Sequence, residues 1–178
     1  AMRLTATRHL EFRSDLGSAI ERDQLRLVFQ PMVDLRTHRV VGAESLLRWE
    51  HPTRGPIAPS EFIPIAERAG LIVPIGRWVV DQSIKAASQW QERGPQRVRI
   101  NVSALQIRSP EFVDQVRRSL EVHRLDPTLV VLEFTETMLV EEIESASDNL
   151  APLRELGVLI AIDDFGTGYC SLSYLQQF

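Results

Sequence analysis

Five oxygen-bearing side chains interrupt apolar runs of this sequence where buried strands would end. They are Glu44 in GAESLLRW, Asn101 in RINVSA, Glu133 in VLEFTE, and the adjacent Asp163 and Asp164 in IAIDDF. None is His or Cys, and all-oxygen ligand sets select hard cations such as Mg²⁺, Mn²⁺ or Ca²⁺. Carboxylates brought together repel one another unless a cation neutralises them. The five residues therefore indicate a divalent-metal site.

The adjacent aspartates extend this interpretation to two ions. Asp163 and Asp164 can reach in different directions, so they could serve two cations about 3.5–4 Å apart, as in two-metal phosphoester hydrolysis. Taken singly, each carboxylate could instead be a cap or a salt-bridge partner, and Asn101 a turn residue. The recurrence at roughly 30 residues, from Asn101 to Glu133 and again to Asp163, favours a shared site because a βαβ unit has about that length.

The elements that must position these residues alternate along the chain. We predict strands at 25–35 and 40–49 and in RVRINVSA, LVVLEFTE and VLIAIDDF. We predict helices at 58–70 and 74–94 and in SPEFVDQVRRSLEVHR and SASDNLAPLRELG. Ser60 is the expected N-cap of the first helix, and Ser109 with Pro110 the expected start of the third. The alternation predicts an α/β fold with parallel strands, whose carboxyl ends meet at one edge, where active sites of such folds lie.

Composition limits the possible functions. The chain has 178 residues, of which 44% are hydrophobic and 25% charged, and this suits one globular domain over 1–178 with an N-terminal lead-in helix or arm at 1–20. A net charge of −4, with both signs mixed along the chain, argues against a nucleic-acid polymer as partner. The single cysteine, Cys170, rules out an intrachain disulfide. With no apparent signal peptide or membrane span, we expect a cytoplasmic protein.

Several motifs resemble those of EAL domains, the bacterial cyclic-di-GMP phosphodiesterases. ESLLRWEHP is similar to the family signature EALLRWxHP, and FQPMVDL, INVSALQ, LEFTET and DDFGTGYCSLSYL occur in the family's order over nearly the whole chain. The resemblance implies a modified TIM (β/α)8 barrel whose first strand is antiparallel, with about the first six strands in this chain. It also implies hydrolysis of one phosphodiester of cyclic di-GMP to linear pGpG with Mg²⁺ or Mn²⁺, and Ca²⁺ as an inhibitor.

The resemblance further implies roles for individual residues. The implied ligands of the first metal are Glu44, Asn101, Glu133 and Asp163, and Asp164 would hold the second; Glu44, Asp163 and Asp164 are the catalytic candidates. Gln30, Leu46 and Arg48 match positions that line the dinucleotide site, with Arg48 on a phosphate. From the residues alone, Arg48 could equally pair with a carboxylate. Glu136 matches the anchor of the loop FGTGYCSL, which would couple metal and substrate binding to a homodimer contact after Asp164.

Two departures from the family pattern affect the functional prediction. Ser45 replaces the alanine of the signature, a small-for-small change that we expect to be tolerated. The family's catalytic lysine and a later glutamate belong to strands that would follow Phe178, so we expect these 178 residues alone to hydrolyse cyclic di-GMP poorly. The alternative function is a truncated or degenerate EAL domain that binds cyclic di-GMP or a protein partner without catalysis.

Overall fold

A computed structural model describes residues 12–94, 96–135 and 150–163. Six strands form one sheet, in the spatial order β1-β2-β4-β5-β6 with β3 paired to β2. The strands are β1 (Leu25–Val33), β2 (Val40–His51), β3 (Gly55–Ile57), β4 (Arg97–Asn101), β5 (Val130–Thr135) and β6 (Leu159–Asp163).

One helix precedes the first strand, and the others lie between strands in the chain. The helices are α1 (12–17), α2 (Pro59–Arg68), α3 (Ile72–Trp90), α4 (Ala104–Ile107), α5 (Phe112–His123) and α6 (150–155). Short 3₁₀ turns at Gln91–Arg93 and Pro127–Leu129 precede β4 and β5. No helix within the described ranges is long and apolar enough to cross a bilayer.

The directions of the strands confirm the predicted α/β architecture. β1 runs antiparallel to β2, whereas β2, β4, β5 and β6 are mutually parallel neighbours. Parallel neighbours need a crossover connection, and α3 and α5 provide it between β2 and β4 and between β4 and β5. The antiparallel first strand is the arrangement that the family resemblance implied.

The hydrophobic core lies between the sheet and its helices. Alternate strand residues face this core, and Trp49, Ile100 and Leu132 are completely buried there. The rings of Trp49 and Phe62 pack edge to face with centroids 5.7 Å apart, and Phe12 of α1 packs on Trp49 at 4.8 Å. The helices therefore cover one face of the sheet, and the residues between these core positions point to the other face.

Two predicted helix starts are wrong. The N-cap of α2 is Ala58, and Pro59 takes the first helical position, where its fixed φ fits and its missing N–H costs nothing. Ser60 therefore lies inside the first turn. Helix α5 begins at Phe112 with Glu111 as its N-cap, while the Ser109 hydroxyl donates to the Glu111 carboxylate at 2.6 Å.

Two short elements have no counterpart in the sequence prediction. Strand β3 has three residues and helix α4 has four, too few for a periodic pattern to be recognised. Helix α4 begins with a capping box in which Ser103 and Gln106 bond each other's backbone N–H. Because α4 directly follows β4, this box fixes the chain at the end of the strand that carries Asn101.

Candidate active site

The register of the sheet brings the predicted site residues onto one face. Gln30 of β1 lies opposite Glu44 of β2, and Asn101 of β4 lies opposite Glu133 of β5. Glu44 is the neighbour of Arg99, and Asn101 follows Arg99 by two residues on the same face. These side chains point away from the helix-covered core.

The strands are staggered rather than in equal register. Between β2 and β4, Asn101 lies two residues beyond the position directly opposite Glu44. Between β5 and β6, Ala161 lies opposite Glu133, and Asp163 is two residues further on. A stagger by even numbers keeps all four residues on one face, and progressive stagger of this kind is what closing a sheet into a barrel requires.

Direct contacts link the acidic residues to two neighbouring polar side chains. Asn101 Nδ2 donates to Glu44 Oε1 at 2.9 Å, and Arg99 Nη1 donates to Glu133 Oε1 at 2.7 Å. Glu133 is buried, with only 6% of its side chain exposed. Burial raises the pKa of Glu133, the charge and hydrogen bond of Arg99 oppose that rise, and the charges of Glu44 and Asp163 add to it. Glu44 and Asp163 therefore lie close enough to Glu133 for their charges to act on it.

The donor chemistry of this face suits a hard cation. Glu44 and Glu133 offer carboxylate oxygens and Asn101 an amide oxygen, which are ligands that hard cations prefer, although Arg99 already bonds the Glu133 carboxylate. Within the described part of the chain, however, no three His, Cys, Asp or Glu side chains are arranged to hold a metal ion.

A cavity of about 450 Å³ opens beside the polar residues at this edge of the sheet. Leu46, Arg48, Asn101 and Glu133 line it from the strands, and the helices contribute an apolar wall that includes Ile63, Ile72 and Ile75. Gln30, Glu44 and Asp163 share the polar face but do not line this cavity. A charged floor beside an apolar wall is typical of sites for ligands with both phosphate and ring groups.

Arg48 is oriented by the backbone rather than by a carboxylate. Its Nη1 donates to the carbonyl oxygen of Leu47 at 2.9 Å, and it forms no ion pair with any residue that the structure describes. Arg48 is half-buried and lines the cavity. Of the two interpretations of Arg48, contact with an anionic ligand therefore fits this arrangement better than pairing with Glu44.

Ser45, the departure from the signature, lies on the opposite face of β2 from Glu44. Its hydroxyl is buried against α3, where it hydrogen-bonds the Ser83 hydroxyl at 2.7 Å. The serine thus has a hydrogen-bond partner in the core, which accounts for a polar residue at this position.

Sequence reasoning missed Arg99 and the apolar wall from the helices. The alternation of β4 contained a signal for Arg99, because residues two apart on a strand share a face and Asn101 was already a candidate. No comparable signal identified Ile63, since its place in the cavity depends on how α2 packs. Asp164, Glu136 and the loop after Asp164 lie outside the described residues.

Comparison with known proteins identifies the family. A sequence model of the EAL domain matches residues 13–178. The bifunctional diguanylate cyclase/cyclic di-GMP phosphodiesterase MucR of Pseudomonas aeruginosa is 42% identical over 99% of this chain and 26% of its own length. A cyclic di-GMP phosphodiesterase of the same bacterium is 39% identical over 92% of this chain and 28% of its own length. The chain thus spans about a quarter of these curated relatives.

Comparison with solved structures also points to EAL domains. The MucR phosphodiesterase in complex with c-di-GMP superposes with a TM-score of 0.89 at 42% identity, covering 94% of this chain and 69% of that one. The FimX EAL domain of Pseudomonas aeruginosa bound to c-di-GMP has a TM-score of 0.84 at 27% identity, covering 94% and 67%. The sheet order, the face shared by Glu44, Asn101 and Glu133, and the match over most of the sequence lead to one conclusion: this chain belongs to the EAL domain family.

Proposed function

We propose that this chain is the EAL part of a metal-dependent phosphodiesterase that hydrolyses cyclic di-GMP to linear pGpG. The observation that carries the proposal is the common face of Glu44, Asn101, Glu133 and Asp163 on four neighbouring parallel strands. Support also comes from MucR, whose name is that of a cyclic di-GMP phosphodiesterase and whose structure contains c-di-GMP.

Each residue of the site has a part in this proposal. Glu44, Asn101, Glu133 and Asp163 would hold one Mg²⁺ or Mn²⁺, and Asp164 would help to hold a second. When bound, the cation supplies Lewis-acid chemistry, since it polarises the phosphodiester and makes a water molecule more acidic.

The neighbouring side chains would bind the dinucleotide. Arg48 would pair with a phosphate, because its planar guanidinium matches phosphate oxygens and it has no carboxylate partner in the described structure. The wall that includes Ile63 and Ile72 would bury a guanine ring and exclude water from that side of the cavity. Gln30, beside Glu44, would contact the ligand from β1. Family resemblance also supports a homodimer contact after Asp164.

A second candidate function is binding of cyclic di-GMP without hydrolysis. The observation that favours it is the pairing of Glu133 with Arg99, together with the lack of three converging acidic or histidine ligands in the described residues. In that case the protein would sense the dinucleotide through Arg48 and the cavity, and the carboxylates would not activate water.

Chromatographic detection of pGpG distinguishes the two functions. The full-length protein with Mn²⁺ should convert cyclic di-GMP to pGpG, and EDTA should stop the reaction. Glu44→Gln should lower the rate by more than about 100-fold, because it removes the negative charge of one metal ligand. The matched control, Glu50→Gln on the same strand, should retain the rate, since Glu50 pairs with Arg26 instead.

The same measurements also show which of the two functions is wrong. Binding of cyclic di-GMP with no pGpG in the presence of Mn²⁺ would select the second function. Equal rates for the Glu44 and Glu50 variants would contradict the assignment of Glu44 to the metal.

A further inference from the structure

Arg99 places a permanent positive charge among the acidic residues. It lies on β4 between Glu44 of β2 and Val131 of β5, and it precedes Asn101 by two residues on the same face. Its Nη1 lies 2.7 Å from Glu133 Oε1. An arginine guanidinium remains charged at any pH that a folded protein tolerates, so this pair persists wherever Glu133 is ionised.

The pair joins a buried anion to a more exposed cation. The Glu133 side chain is 6% exposed, whereas that of Arg99 is 46% exposed. A buried carboxylate that has two further carboxylates nearby is costly unless a cation neutralises it, and Arg99 is the residue recorded in an ion pair with Glu133 in the described structure. Within these 178 residues, Arg99 is thus the more exposed partner of the pair.

A divalent cation at this face would need the same carboxylate. Two positive charges competing for Glu133 repel each other, and at a partly buried site that repulsion is only weakly screened by water. We propose, resting on the proposed metal-dependent function, that Arg99 is an internal competitor of the metal: it neutralises Glu133 and must turn away when a divalent cation binds, so it weakens the metal affinity of the site. Arg99 is thus an affinity-determining residue that does not itself coordinate the metal.

Calorimetric titration with Mn²⁺ tests this competition directly. In the full-length protein, Arg99→Met should tighten Mn²⁺ binding by about fivefold or more, the usual lower range of coupling between two ligands. Arg97→Met is the matched control, because Arg97 lies two residues earlier on the same face and forms no ion pair with a described residue. The control should bind Mn²⁺ within about threefold of the unmodified protein, since its charge lies further from Glu133.

A thermal melt provides the second measurement. Without added metal, Arg99→Met should melt at a lower temperature than Arg97→Met, because Glu133 loses its cation. Added Mn²⁺ should then raise the melting temperature of Arg99→Met by more than it raises that of the unmodified protein. If the Met variant does not fold, Arg99→Gln replaces it, because glutamine is neutral but can still donate to Glu133.

The outcomes separate this inference from the proposed function. Mn²⁺ binding that is unchanged or weaker in Arg99→Met, with clear binding in the unmodified protein, would overturn the competition while leaving the metal-dependent function intact. Weaker binding would mean that Arg99 orients Glu133 as a ligand. No Mn²⁺ binding in either protein would overturn the proposed metal site and the inference together.

Discussion

Glu133 and Arg48 lie on the same face of the sheet, but they differ in burial and in bonding partner. Glu133 is buried and already has a cation, whereas Arg48 is half-buried and uses its guanidinium on a backbone carbonyl. A buried acid with a raised pKa beside two other acids is an arrangement often found at functional sites. An arginine in a cavity wall without a carboxylate partner is suited to an anionic ligand.

Replacing Arg48 should separate ligand binding from metal binding. Arg48→Ala should weaken cyclic-di-GMP binding by about 10- to 150-fold, which is the cost of losing a hydrogen bond to a charged group. Calorimetry with the dinucleotide measures this loss, and calorimetry with Mn²⁺ should give an unchanged affinity. Arg117→Ala, on the exposed side of α5 where Arg117 pairs with Asp114, should change neither affinity. Loss of Mn²⁺ binding in Arg48→Ala would show instead that Arg48 supports the acidic residues.

The strands determine how far the site could be predicted from sequence. The apolar runs around Glu44, Asn101 and Glu133 were long enough to identify β2, β4 and β5. The expectation that each polar residue lies where its strand ends was wrong for Glu44, because β2 continues to His51. The stagger between strands could not be predicted, because it depends on how the backbones pair, and the sequence pattern of a single strand does not reveal that pairing. The pairing of Arg99 with Glu133 follows from that register, so it too required the structure.

The close approach of β2 and β4 depends on Gly42. A Cβ atom built on Gly42 would lie 2.2 Å from the carbonyl oxygen of Arg97 and 2.7 Å from the terminal methyl of Met32. The backbone oxygen cannot move without separating the two strands, so Gly42→Ala should lower the free energy of unfolding by about 1–3 kcal/mol. Because Gly42 precedes Glu44 by two residues, the same shift would also displace a proposed metal ligand.

Urea denaturation measures this effect against a matched glycine. Gly17→Ala at the end of α1 should change the free energy of unfolding by less than about 1 kcal/mol, since the nearest atoms to its added Cβ are those of Leu71 at 3.8 and 4.0 Å. Similar losses for the two variants would show that the contact between β2 and β4 is not tight.

Helix starts such as that of α2 were predicted less well than the strands. Pro59 and Ser60 both carry start signals, and only packing decides between them.

At the scale of the whole molecule, the described sheet has β1 and β6 at the two ends of its main path. The chain covers 69% of the MucR phosphodiesterase structure and 67% of the FimX EAL domain structure that it matches. The fold class could be predicted because motif order and strand–helix alternation extend over most of the sequence. The sequence also predicted a divalent-metal site, but the arrangement of its ligands could not be predicted, because it depends on how side chains from four separate strands converge.

Diffraction from crystals of the full-length protein grown with Mn²⁺ would show whether the acidic face of the sheet binds a metal. Anomalous scattering locates manganese independently of any assumption about the side chains. We expect a manganese peak within coordination distance, about 2–2.3 Å, of oxygens from Glu44, Asn101, Glu133 and Asp163, with the Arg99 guanidinium turned away from Glu133. A site that contains no manganese, with Arg99 still bonded to Glu133 at saturating Mn²⁺, would contradict this expectation.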